Sequence, residues 1–174
     1  MTLFFYIIIG VITFGAFLHA WSKKDFNVSR TIVINRPKAE GYAFVRQLKK
    51  QPQWMPWFNL DSQMQLKFKG EDGKLDAAIY WKGNNRVGEG MQRITKVREG
   101  KVLESQLLFL KPYKAVALLY LGVKEVEPGR TKMVLGISGV HKFPASVLSI
   151  FYGLEKVIGE DLEKGLRELK NLLE

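Results

Sequence analysis

Apolar positions follow three different rhythms along this chain. The first is an unbroken run. Leu3 to Trp21 (LFFYIIIGVITFGAFLHAW) is apolar except at Thr13 and His19, and no Asp, Glu, Lys or Arg precedes Lys23. A run of about 20 such residues is long enough to cross the hydrocarbon core of a bilayer as one helix. The second rhythm has a period of two. It predicts strands near 26–35, 64–69, 74–82, 86–98, 101–110, 114–126 and 131–140. Turn chemistry separates the later runs: Gly70-Glu71-Asp72-Gly73, Gly83-Asn84-Asn85, Glu99-Gly100, Lys111-Pro112 and Glu127-Pro128-Gly129. Such short connectors predict an antiparallel meander. The third rhythm is helical. Pro37 opens a segment with Tyr42, Phe44, Val45 and Leu48 on its apolar side, broken by Pro52 and Pro56. Beyond Pro144, Ser146 is placed to cap a helix running to about residue 173. Its stripe is Val147, Phe151, Leu154, Ile158, Leu162, Leu166, Leu169 and Leu173.

Strand, helical segment, six strands and one long helix make an α+β domain, with the helix lying against a strongly curved antiparallel sheet. The organisation reads as a transmembrane anchor over 1–22, a linker over 23–27 and a domain over 28–174. A cleaved signal peptide would need a basic leader before the apolar run, and only Met1-Thr2 stands there. Lys23, Lys24, Arg30, Arg36 and Lys38 follow the run and no basic residue precedes it. The positive-inside rule then gives a single-pass membrane protein with its C-terminal domain in the cytoplasm.

Strand alternation sorts the domain into faces. Leu75, Ala77, Ile79 and Trp81 share a side, as do Gly88, Gly90, Gln92 and Ile94, then Leu103, Ser105, Leu107 and Phe109, then Met133, Leu135 and Ile137. The inner wall is apolar, with Gln92 and Ser105 as isolated polar members. This wall reads either as core under the helix or as the lining of a pocket. Gly153, Gly159 and Gly165 inside the C-terminal helix each cost about 1 kcal/mol against Ala, which points to close approach of something bulky. Glycines on helix and sheet leave room on both walls. The run 114–126 is apolar on both faces before Lys124. Membrane, a second copy or the Trp54–Phe58 stretch are candidates to cover it.

Four stretches resemble a known family. Arg30-Thr31-Ile32-Val33-Ile34-Asn35-Arg36-Pro37 is similar to the first strand of the START-like, or SRPBCC, helix-grip superfamily, in its polyketide cyclase/dehydrase-like branch. Trp54-Met55-Pro56-Trp57 resembles that branch's W-x-P/W loop. Trp81-Lys82-Gly83-Asn84 with Gly88-Glu89-Gly90 resembles its W-x-G-N…G-x-G hairpin. Ile158-Gly159-Glu160-Asp161-Leu162-Glu163-Lys164-Gly165-Leu166 opens a stretch similar to its C-terminal helix. Many relatives with this helix begin with one membrane span. The resemblance covers roughly 26–174 and implies a sheet gripping the helix around an apolar cavity for hydrophobic small molecules. Leu135 stands where relatives often carry Trp, which gives this pocket its own shape. The candidate pocket residues are Trp57, Ile79, Trp81, Gln92, Ile94, Ser105, Leu107, Phe109, Met133 and Leu135.

Candidate chemistry changes this picture little. There is no Cys and there are two His, His19 in the apolar run and His141 after the last strand. No metal-ligand spacing, nucleophilic triad or dinucleotide fingerprint is present. Neither a cofactor nor a catalytic residue is assigned. The net charge of +10 lies behind the apolar run. The basic residues are scattered and show no nucleic-acid-binding pattern, so the charge reads as a surface beside an anionic leaflet. The leading expectation is membrane-tethered binding or carriage of a hydrophobic small molecule or lipid, with the membrane engaged through residues 3–21. Two alternatives stay open: a cyclase/dehydrase-like enzyme, and a membrane-anchored protein-interaction domain.

Overall fold

The computed structural model describes residues 2–21, 25–140 and 153–174, apart from the side chains of His19, Trp21 and Leu154. The order is α1 (Thr2–Trp21), β1 (Asp25–Ile34), α2 (Lys38–Val45), two 3-10 turns (Leu48–Gln53 and Pro56–Asn59), β2 (Gln65–Lys69), β3 (Ala78–Lys82), β4 (Glu89–Arg98), β5 (Val102–Lys111), β6 (Ala115–Glu127), β7 (Arg130–Val140) and α3 (Leu154–Leu173). His141, Ser146, Val147 and Phe151 lie outside the described residues.

The seven strands form one antiparallel sheet in the order β1-β7-β6-β5-β4-β3-β2. Register shifts at Glu89/Gly90, Ile94/Lys96 and Glu125/Glu127 interrupt the ladder. Each such irregularity adds local twist, which bends the sheet around its covered face. That face receives α2, the 3-10 turns and α3. Helix α3 follows β1 and buries Leu162, Leu166 and Leu169 completely. Each contributes on the order of 2 kcal/mol by leaving water. The far end of α3 is fastened to the exit of β1. Lys170 Nζ donates to the Val33 carbonyl at 3.0 Å, the Asn35 amide donates to the Glu174 carboxylate at 2.6 Å, and the Arg36 guanidinium donates to the Leu173 carbonyl.

Four boundaries differ from the pattern reading. β1 begins at Asp25, inside the expected linker 23–27, because Asp25 and Phe26 already pair with Val140 and Gly139. β3 begins only at Ala78, and Leu75 is exposed rather than inward. Gly70, Gly73 and Asp76 take positive φ, and this loop is held to the α2 region by Arg46, which donates to the Gly73 carbonyl at 2.8 Å. α2 stops at Val45, since the Asp72 carboxylate accepts the Leu48 amide at 2.7 Å and starts a 3-10 turn there. Gly153 sits at φ 55, before α3 rather than inside it.

α1 is a continuous helix of 20 residues without a charged side chain. Among the described residues, no helix is long and apolar enough to cross a membrane.

Candidate functional site

The strand register assembles the inner face in rungs. One rung runs Ile79–Gln92–Leu107–Ala117–Gly139–Phe26 across β3, β4, β5, β6, β7 and β1. The next runs Ile94–Ser105–Leu119–Ile137–Val28. Leu103–Leu121–Leu135–Arg30 follows, and Val123–Met133–Ile32 beyond it. On the other side of the first rung, Trp81 pairs with Gly90 and Gly90 with Phe109. Nine of the ten candidate residues therefore share one face. Trp57 is the exception, standing half-buried in the second 3-10 turn beside Phe58.

Within this apolar face Gln92 and Ser105 are each 1% exposed. They sit on adjacent strands in adjacent rungs, so they are diagonal neighbours. Gln92 Nε2 is buried and has no hydrogen-bond partner. An unmade bond of this kind costs about 1–3 kcal/mol. Two further polar groups on this face escaped the pattern reading. Thr131 is fully buried, and its hydroxyl donates to the Arg36 carbonyl at 2.8 Å. Arg30 shares a rung with Leu135, and its guanidinium donates to the Ser29 carbonyl at 2.9 Å. Alternation from Val28 and Ile32 puts Arg30 inward. Its charge breaks the apolar pattern of that face, which is otherwise carried by Val28, Ile32 and Ile34.

The glycines explain how Arg30 fits. A Cβ on Gly159 would overlap the Arg30 guanidinium, so α3 lacks a side chain where this cation needs space. Gly165 likewise faces Pro56 Cδ at 3.2 Å and the Trp54 carbonyl at 3.3 Å from where its Cβ would stand. A Cβ on Gly90 would overlap the Trp81 ring, which lies across to meet Phe109 edge-on with centroids 5.8 Å apart. Gly139 is covered by the Phe26 ring. The close approach inferred for Gly159 and Gly165 is real, but the bulky partners are the protein's own side chains. The expectation that glycines leave both walls empty is corrected on these four positions.

One concavity bounded by described residues lies along α1 at Phe4, Phe5 and Ile8. Another is a crease of about 160 Å³, open to solvent, between Leu48, Phe68 and Ala77. Neither lies on the rungs around Gln92. The Trp54–Phe58 stretch packs beneath α3 and does not cover β6, whose Val116 and Leu118 are exposed on the outer face.

Two described titratable groups depart from their ordinary ranges. The Glu89 carboxyl is held below its ordinary range by its hydrogen bond from Lys111 Nζ at 3.1 Å. Burial raises the Tyr42 phenol, and the Glu99 carboxylate adds to that rise while Arg46 opposes it. The Tyr42 hydroxyl lies by Glu99 and the Gly100 amide yet makes no hydrogen bond of good geometry. Among the described residues, no group of His, Asp or Glu is arranged to hold a metal ion.

No protein-family model and no curated protein matches the chain. Solved structures do match. A protein from Mesorhizobium loti is 11% identical over 85% of this chain and 96% of its own, with a TM-score of 0.62. A solution structure from Thermobifida fusca is 18% identical over 83% and 90% respectively, with a TM-score of 0.59. The crystal structure of Ara h 8.0201 is 10% identical over 80% and 95%, with a TM-score of 0.50. At such identities the likeness speaks for the fold alone. With seven antiparallel strands closing on one C-terminal helix, this chain has the helix-grip fold.

Proposed function

We propose that this chain is a membrane-anchored member of the START-like superfamily that binds a hydrophobic small molecule or lipid on the inner face of its sheet. One observation carries the binding half: Gln92 Nε2 is a buried, unpaired donor beside Ser105, with Ile79, Ile94 and Leu107 as its register neighbours. A few polar groups in apolar surroundings are what orients a lipophilic guest. A carbonyl or hydroxyl on that guest would satisfy the donor. The enzyme alternative has less support. Among the described strand residues on the rungs from Ile79 to Ile32, the titratable one is the half-buried Arg30, and arginine neither gives nor takes a proton near neutral pH.

The anchoring half rests on α1. Over the whole apolar run Leu3–Trp21, counting His19 and Trp21, whose side chains are not among those described, the length is about that of the hydrocarbon core. Leu3, Phe4, Phe5, Ile12 and Phe14 are exposed along it. In water such a surface is costly, and in lipid it is the favourable one. Lys23 and Lys24 at its end favour a cytoplasmic domain. A tether also holds the domain beside a reservoir of lipophilic ligand.

Native mass spectrometry and solvent extraction of the purified full chain test the binding half. The wild type is expected to release a hydrophobic species, and Gln92→Met to retain about tenfold less, the worth of one lost hydrogen bond. Equal release from both proteins would overturn it. Carbonate washing of membranes tests the anchor: the chain stays with the lipid if the proposal holds and is released if it does not.

A further inference from the structure

The sheet has one end where several features with a common preference meet. β1 starts there, with Asp25 opposite Val140, the last residue of β7. The β5–β6 turn at 111–114 and the β3–β4 turn at 83–88 project from the same end, because Gly90 pairs with Phe109 and Ala117 with Gly139. Tyr113 at the tip of the β5–β6 turn is 79% exposed. Leu110, Val116 and Val140 are exposed next to it on three adjoining strands. Val116 and Val140 each stand one residue beyond the Ala117–Gly139 pair, so they are neighbours on the outer face. Arg86, Lys111 and Lys114 surround this apolar tip, and all three are exposed. Asp25, Asp61 and Glu89 are acids among the described residues at this end. Asp61 accepts the Asn84 amide at 2.7 Å, and Glu89 lies 3.1 Å from Lys111 and 3.6 Å from Lys82.

Only residues 22–24, a Ser and two Lys, separate α1 from this end of the sheet. Fully extended, that connection spans about 14 Å. If α1 is in the bilayer, the start of β1 is within that distance of its surface, and the two turns are carried with it.

We infer that this end of the sheet is a second membrane contact, docking on anionic headgroups with Tyr113 and its apolar neighbours in the interfacial layer. The inference rests on the anchor proposed above. Tyrosine favours the headgroup level, where its ring is dry and its hydroxyl wet. Lysine and arginine around it meet the negative potential of an anionic leaflet. A second copy of this chain is the weaker occupant, because it would bring the same cations against themselves. Docking would fix the orientation that a single tether leaves free, and would hold the Trp81–Phe109 end of the inner face toward the lipid.

The absence of cysteine makes the test direct, since one introduced Cys carries one nitroxide. Full-length Tyr113→Cys, Ile9→Cys and Lys124→Cys are labelled and reconstituted in phosphatidylcholine vesicles with and without phosphatidylserine. Accessibility to oxygen and to an aqueous nickel chelate is then compared. Lys124 lies on the same strand as Val116 but about 26 Å away, and serves as the aqueous reference. The label at Tyr113 is expected to be shielded from nickel and exposed to oxygen when phosphatidylserine is present. Replacing Arg86, Lys111 and Lys114 together by Gln is expected to return it to the Lys124 value, with an unchanged circular dichroism spectrum. A Tyr113 label as wet as Lys124 in both lipids, beside an Ile9 label in hydrocarbon, overturns the docking and leaves the anchor standing. A wet Ile9 label with a shielded Tyr113 label does the reverse. Spin–spin broadening at Tyr113 in place of lipid shielding identifies a second copy as the occupant and also overturns the docking.

Discussion

Gln92→Met separates a core residue from a binding residue. The side chain is 1% exposed, and its Nε2 makes no hydrogen bond. That unmade bond costs the unliganded protein about 1–3 kcal/mol. Met has nearly the same length, carries no donor and packs flexibly against Ile79 and Leu107, which flank position 92 in the register. Removing the donor should therefore stabilise the empty protein by about 1–3 kcal/mol. With a urea m-value of about 1–3 kcal/mol/M for a domain of this size, the midpoint should rise by about 1 M at constant slope. Urea unfolding of the delipidated full chain, followed by fluorescence of its Trp residues, reads that shift. The same substitution should lower retention of the co-purifying guest. Gain in stability with loss of binding is the pattern of a residue kept for function against the preference of the fold. A midpoint that falls would refute the reasoning. It would mean that the amide already has its partner in the empty protein, and that position 92 is an ordinary polar core site.

Gly90→Ala places a methyl against the Trp81 ring and 2.6 Å from the Leu108 carbonyl. It should destabilise by about 3 kcal/mol, while Gly122→Ala, whose Cβ would have no neighbour closer than 3.9 Å, stays within about 0.5 kcal/mol of wild type in the same unfolding assay. Thr131→Val removes the donor to the Arg36 carbonyl in a part-buried hydrogen bond and should cost about 1–2 kcal/mol. The raised Tyr42 pKa sets an alkaline dependence. A phenol whose pKa is higher folded than unfolded adds stability that is whole below the unfolded value near 10 and is lost as pH rises through the folded value. Stability above pH 10 should therefore fall less steeply in Tyr42→Phe than in wild type, and parallel curves in denaturant titrations would contradict it.

The sequence by itself determined the order of elements, because alternation and turn residues are local. Gly129 after Pro128, and Gly100 after Glu99, end strands whatever lies elsewhere in the chain. It also determined that Gln92 and Ser105 share the inner face, since a period of two admits no other placement once Ile94 and Leu107 are inward. The resemblance carried by the C-terminal helix pointed to the fold that the rungs then display. Only the tertiary structure decided what occupies the spaces left by glycine. Gly159 and Arg30 come from elements far apart in the chain, and the Trp81 ring reaches over Gly90 to Phe109 two strands away. No local pattern distinguishes a glycine that leaves a void from one that admits a neighbour's side chain. Tertiary structure also decided that Leu75 turns outward, because the hold of Arg46 on Gly73 delays the start of β3. Close packing is a property of the assembled surfaces, set by side-chain volumes meeting across the chain, whereas periodicity belongs to each segment alone.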